Sequence, residues 1–274
     1  MNLWLAALGA LFCALAGVGL GWACSRLRSP WWTIGYFIPL GLVFAFALAY
    51  HFPAIMFLPP FSWMMIGLKK FAVFGFIATL VLTTPLSRLP RKRNRIVVGL
   101  LMALIVFAMS IWPFVAPMID RPQLSRLTTR MDRNGVCLQT TEYTCGPASA
   151  VTALRKLGLP AEEGQLAIRS CTSEQEGTPI DMLEDALNRQ YAADGLSAQG
   201  RVFKSIDELR SAGLTLAVVK YGFLVDHWVT VLEVTDTEVV IADPLAGLDR
   251  QSYEEFAKRW RYEGIVLHRT GLAH

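Results

Sequence analysis

The chain has 274 residues, 53% of them hydrophobic, and a formal net charge of +4. None of the 22 acidic residues precedes Asp120, whereas nine of the 26 Lys/Arg do, so residues 1–119 carry +9 and residues 120–274 carry −5. The positive charge sits on loops between apolar stretches, which excludes a nucleic-acid-binding reading, and five scattered cysteines exclude a disulfide scaffold.

Residues 3–23 hold no charge and are long enough to cross a hydrocarbon core as a helix. They lack a basic leading segment and more spans follow, so they read as an anchor and not a signal peptide. Further spans are expected at about 32–50, 64–84 and 96–115, with Lys69 and Lys70 near one end of the third, where they can snorkel. Residues 51–63 are apolar, aromatic and broken by proline, which suits an interfacial or re-entrant connection. The 87–95 loop carries Arg88, Arg91, Lys92, Arg93 and Arg95, and the preceding basic loop carries Arg26 and Arg28. Positive loops stay on the cytoplasmic side, so the fourth span should deliver the remainder of the chain to the outer face. Cys13 and Cys24 read as small packing residues of the first span.

The segment from Met118 to Cys137 reads as a polar connector. Cys145 to Leu157 reads as a helix closed by Gly158, and Ala161 to Ser170 as a second helix. A third should start with Thr178 as its cap and Pro179 at its first position, with Ile180, Leu183 and Leu187 on one face. Ser205–Ser211 reads as a short helix. Strands are expected at Leu214–Lys220, His227–Val234, Glu238–Ala242 and Gly264–His268, the last preceded by a helix from Ser252 to Trp260. Helices first and antiparallel strands after is an α+β order. Three cysteines fall here, Cys137, Cys145 and Cys171, so at least one stays free or pairs between chains; a Cys137–Cys171 bridge would leave Cys145 as the free one.

The stretch Gln139-Thr140-Thr141-Glu142-Tyr143-Thr144-Cys145-Gly146-Pro147 puts a thiol at the first turn of a helix. Unpaired N–H groups and the positive end of the helix dipole favour a thiolate there. Gln139, six residues upstream, can donate a hydrogen bond to a developing oxyanion. His227 opens a strand and Asp243 closes the next, so antiparallel pairing sets both at one edge of the sheet. Singly, each residue has an ordinary structural explanation; together, in this order, they form a Cys-His-Asp device.

These motifs, with Asp226-His227-Trp228-Val229 and Ile241-Ala242-Asp243-Pro244, resemble the C39 peptidase family over roughly residues 134–268. Its members are papain-like domains that remove leader peptides from bacteriocins, usually within ABC exporters. The apolar spans make residues 1–117 an α-helical membrane region and 118–133 a connector, and the resemblance implies an α+β papain-like cysteine peptidase domain (134–274). It implies Cys145 as nucleophile, His227 as general base and acid, Asp243 as orienter of the imidazole, and Gln139 with the Cys145 N–H as oxyanion hole. Thr144 stands where family members often carry Asp, and no phosphate-binding loop is present, so neither ATP nor any other cofactor or metal is expected. The partners expected are a peptide or protein substrate and the lipid bilayer of a bacterial inner (cytoplasmic) membrane. Four spans exceed what an anchor needs, which leaves room for a membrane-protein partner. The alternatives are a papain-like acyltransferase or amidase, and a non-catalytic C39-like peptide-binding module.

Overall fold

The computed structural model describes residues 3–51, 69–222 and 225–270. The chain forms two compact units, Met1–Ala116 and Pro117–His274. An apolar helical region is followed by an α+β domain, the expected fold class.

In the first unit, α1 (Leu3–Ser25), α2 (Ile34–His51), α3 (Lys69–Thr83) and α4 (Lys92–Ser110) are the helices. Among the described residues, four helical stretches are long and apolar enough to cross a membrane. The expected connection over 51–63 lies, beyond His51, outside the described residues. The expected 96–115 span is interrupted, since α4 ends at Ser110 and α5 (Trp112–Leu124) begins after Ile111. Ala10, Ala14, Gly17 and Gly21 recur on one side of α1, which lets α3 approach closely. The Thr79 hydroxyl donates to the Ala14 carbonyl at 2.9 Å. A Cβ on Gly17 would sit 2.6 Å from the Phe76 carbonyl oxygen, while one on Gly19 would meet nothing. The two basic loops lie at the same end of this unit, because Arg88 Nη2 donates to the Leu27 carbonyl at 2.7 Å.

In the second unit, residues 117–124 of α5 are helical where the sequence marks a connector, despite Pro117 and Pro122. Its end is docked: Leu124 is fully buried, and its carbonyl lies where a Cβ on Gly164 would be, 2.4 Å away. A short hairpin, β1 (Arg130–Met131) and β2 (Cys137–Leu138), leads to α6 (Cys145–Lys156), α7 (Glu163–Arg169) and α8 (Ile180–Tyr191). Then come β3 (Leu196–Val202), α9 (Ile206–Ala212), β4 (Thr215–Gly222), β5 (Val225–Val234), β6 (Glu238–Asp243), β7 (Gly247–Ser252), α10 (Tyr253–Arg259) and β8 (Trp260–Arg269). Among the described residues they form a six-stranded antiparallel sheet of order β3-β8-β4-β5-β6-β7.

The sheet has two apolar faces. On one, Leu216, Val218, Trp228 and Ile265 pack with Ala148, Val151 and Leu154 of α6 and with Leu183 and Leu187 of α8. On the other, Val219, Val229, Val231 and Ile241 pack with Leu209 of α9 and Phe256 of α10. The expected start of α8 is corrected by one residue: Pro179 is its cap and Ile180 its first residue. The Thr178 hydroxyl does not cap it, because it is paired with Thr172 at 2.8 Å. The α10 helix carries a capping box between Ser252 and Glu255.

Small-residue packing in the first unit can be tested with an internal control. Gly17→Val is expected to lower the thermal midpoint of the detergent-solubilised protein by several degrees, and Gly19→Val to leave it within experimental scatter. Equal effects of the two would contradict close α1–α3 packing.

Candidate active site

The α6 helix is held across the sheet by hydrogen bonds inside the core. The Ser149 hydroxyl donates to the Trp228 carbonyl at 3.0 Å, and the Thr230 hydroxyl donates back to the Ser149 carbonyl at 2.8 Å. Ser149 and Thr230 are fully buried. Each such bond contributes about 1 kcal/mol net, and a lost one costs more where a polar group is left without a partner. The indole N–H of Trp228 donates to the Thr178 carbonyl at 3.2 Å. Thr178 in turn presses on Gly146, where a Cβ would come within 2.7 Å of the threonine Cβ. Glycine after Cys145 is therefore a requirement of packing, and the result is a helix start set beside the first residues of β5.

At that junction the expected residues meet. The His227 Nε2 atom lies 2.8 Å from Asp243 Oδ1, with both side chains almost wholly buried. The carboxylate only accepts, so Nε2 carries the proton and Nδ1 is left for the other side of the ring. The Cys145 thiol lies close enough to His227 to favour the protonated imidazole. Asp243 Oδ1 also accepts the Leu245 N–H at 2.8 Å, which fixes the carboxylate. The Tyr221 ring lies 5.6 Å from the imidazole, centroid to centroid.

Gln139 is tied to the turn that follows Asp243. Its N–H donates to the Pro244 carbonyl at 3.0 Å, next to Asp243. The preceding strand is tied to α6, since the Cys137 N–H donates to Thr152 Oγ1 at 2.9 Å. Gln139 Nε2 donates to the Thr141 carbonyl at 2.8 Å, which orients the amide and leaves one N–H of that group available. Its Oε1 is buried with no hydrogen-bond partner. Thr144 is fully buried and bonded to Thr141 through its hydroxyl at 3.2 Å.

The electrostatics are those of a charged pair. Burial opposes a positive imidazole, but the Asp243 carboxylate and the contact with Cys145 outweigh it and raise His227 to about 9. Burial likewise opposes the Asp243 charge, and the bonds from His227 and the Leu245 N–H outweigh it, holding the carboxyl below its ordinary range. His227 therefore adds stability that is fully present below the unfolded value near 6.5 and is lost as pH rises through about 9. Asp243 adds stability that is present above its unfolded value of 3.8 and is lost as pH falls through its lower folded value.

All five cysteines are free, so the Cys137–Cys171 bridge considered from the sequence is not formed. Burial and the nearby Glu163 carboxylate push the Cys137 thiol up to about 12. Burial also raises Cys171. Beside the site, Asp226 bonds Arg261 Nε at 2.7 Å. Burial together with Asp226 and Asp181 pushes Glu263 up to about 7. Neither the Ser149–Thr230 bonds nor the Asp226–Arg261 pair had a signal in the sequence, because each joins positions tens of residues apart.

Among the described residues no cluster of His, Cys, Asp and Glu could hold a metal ion. The model of the peptidase C39 family matches residues 133–271, about half of the chain and all of the residues of this site. The chain belongs to the peptidase C39 family. An uncharacterized protein of Methanothermobacter marburgensis is 34% identical over 131 residues, which cover 48% of this chain and 86% of that protein. An uncharacterized protein of Methanothermobacter thermautotrophicus is 28% identical over 143 residues, covering 52% and 94%. Among solved structures, a double glycine motif protease from an AMS/PCAT transporter in complex with the leader peptide is similar at 21% identity. It covers 53% of this chain and 96% of that one, with a TM-score of 0.42. The peptidase domain of Streptococcus ComA, a bifunctional ABC transporter, is similar at 21% identity over 48% and 96%, with a TM-score of 0.43.

The coupling of His227 to Asp243 is open to direct measurement. In NMR spectra of full-length protein labelled at histidine, His227 is expected to titrate near 9. In Asp243→Asn the carboxylate is gone while burial remains, so the titration should move to lower pH. An unchanged titration would contradict Asp243 as the partner that holds the imidazolium.

Proposed function

We propose that this chain is a membrane-anchored cysteine peptidase that cleaves a peptide or protein through an acyl-enzyme on Cys145. The observation that carries the proposal is the buried His227–Asp243 hydrogen bond, with the Cys145 thiol acting on the same imidazole. In the proposed reaction the thiol proton has already passed to His227 Nδ1, and the sulfur attacks the scissile carbonyl carbon as a thiolate. The resulting oxyanion is held by the Cys145 N–H and the free N–H of the Gln139 side chain. His227 then returns the proton to the leaving amine as the C–N bond breaks, and the acyl group stays on sulfur. Water, deprotonated by the same imidazole, attacks the thioester, releases the acid and restores the thiolate. Asp243 keeps the tautomer and stabilises the imidazolium throughout. The domain is proposed to be residues 134–274, reached from the membrane region (1–117) through the segment 118–133.

The proposed setting is the outer face of a cytoplasmic membrane. Arg26, Arg28 and the 87–95 loop lie at one end of the helical unit, tied by the Arg88–Leu27 bond, and positive loops are retained in the cytoplasm. A helix that starts at that end with Lys92 leads to the opposite side.

Turnover is best assayed with an internally quenched peptide that the wild type selects from a randomised library. Cys145→Ala and His227→Ala should abolish cleavage while leaving the unfolding transition cooperative, because nucleophile and base act as a unit. Gln139→Ala should retain activity reduced by about 100- to 1,000-fold. Full activity in Cys145→Ala would sink the covalent mechanism. For the setting, a reporter active only after export should read positive when fused after His274 and negative when inserted in 87–95. The reverse pattern would return the domain to the cytoplasm.

A further inference from the structure

Glu163, the first residue of α7, is wholly buried and takes no part in the Cys-His-Asp device. Removing a carboxylate from water costs several kcal/mol unless hydrogen bonds compensate, so its partners identify what the burial secures. Glu163 Oε1 accepts the Thr140 N–H at 2.8 Å, and Oε2 accepts the Thr140 hydroxyl at 2.5 Å. That hydroxyl also lies 3.2 Å from the Thr128 carbonyl. The carboxylate thus holds both donors of one residue, and that residue follows Gln139 directly.

On the other side, the Gln139 N–H is bonded to the Pro244 carbonyl, in the turn after Asp243. The peptide units before and after Gln139 are therefore both fixed, the first by the turn that carries Asp243 and the second by Glu163. An oxyanion donor works only if it is aimed before the charge develops, since reorganising it during reaction forfeits the stabilisation. A carboxylate suits this task because each oxygen accepts, and its bonds to N–H and O–H are stronger than neutral ones.

We propose that Glu163 is a positioning residue of the oxyanion site, acting on Gln139 through Thr140. The inference rests on the peptidase reading above. Glutamine at 163 keeps one acceptor for the Thr140 N–H and can donate to the hydroxyl, which then turns to the Thr128 carbonyl; it is the conservative variant. Alanine removes both bonds. Thr140→Val removes the hydroxyl arm alone.

The test compares full-length variants on the peptide substrate with alkylation of Cys145 by iodoacetamide, a reaction that passes through no oxyanion. Glu163→Ala should lower kcat by about 10- to 100-fold, as displaced catalytic groups do, and leave KM nearly unchanged. Glu163→Gln should recover most of that loss, and Thr140→Val should fall between the two. Cys145 alkylation should stay close to the wild-type rate in all three. In a Gln139→Ala background, Glu163→Ala should have little further effect on kcat, because the group it positions is absent.

Equal effects of Glu163→Ala with and without Gln139, or a parallel loss of Cys145 alkylation, would overturn the proposal. If Glu163→Ala does not fold, Glu163→Gln and Thr140→Val decide: a kcat unchanged in both overturns it as well. A wild type that alkylates at Cys145 but cleaves no peptide overturns the peptidase reading and this inference with it. A competent wild type with insensitive Glu163 and Thr140 variants overturns this inference alone.

Discussion

The site depends on the attachment of one helix to one strand. The Ser149–Trp228 and Thr230–Ser149 hydrogen bonds hold α6 across β5 inside the buried core, and they fix where the helix begins relative to where the strand begins. Cys145 is the first residue of the helix and His227 the third of the strand, so a restraint four residues into α6 sets the thiol against the imidazole. Thr178 closes the arrangement from a third side, accepting the Trp228 indole N–H and filling the space that glycine leaves at 146. Sheet pairing does the rest. Thr230 faces Ala242 in the antiparallel β5–β6 register, so Asp243 follows toward Val229 and comes within reach of His227, two residues further along β5.

Electrostatics follow from that geometry and not the reverse. A buried carboxylate and a buried imidazole are each costly alone. Placed 2.8 Å apart, each shifts the other toward its charged form, and the Leu245 N–H anchors the shared oxygen. Cys137 is the contrast within the same domain. It is equally buried, has the Glu163 carboxylate nearby instead of an imidazole, and is held as a thiol far above neutral pH. Two cysteines eight residues apart thus receive opposite surroundings from one folded segment.

Much of this was legible because the chemistry sits at element ends, which sequence marks well. A thiol before Gly-Pro at a helix start, a histidine opening a β-branched run and an aspartate before proline are local signals. The edge strands were not legible. Leu196–Val202 and Gly247–Ser252 each bury few side chains and carry polar residues over much of their length, so neither shows a strand-like apolar run. The helix Trp112–Leu124 was hidden by its prolines, whose penalty is overridden by docking of its end at Leu124. Thr178 satisfies the local rule for a helix cap but is claimed by Thr172, and the true cap is Pro179. Glu163 was invisible for a related reason: its partner Thr140 lies 23 residues earlier, and nothing local distinguishes it from an ordinary acidic residue in the first turn of a helix.

The central claim, a cysteine activated by His227, is tested most directly by trapping the covalent adduct. The protein would be incubated with a peptidyl fluoromethyl ketone, digested and mapped by mass spectrometry. A single adduct on Cys145 in the wild type, lost in His227→Ala while the fold persists, is the expected result. An adduct that forms at the same rate without His227, or that falls on Cys137 or Cys171 instead, would contradict it.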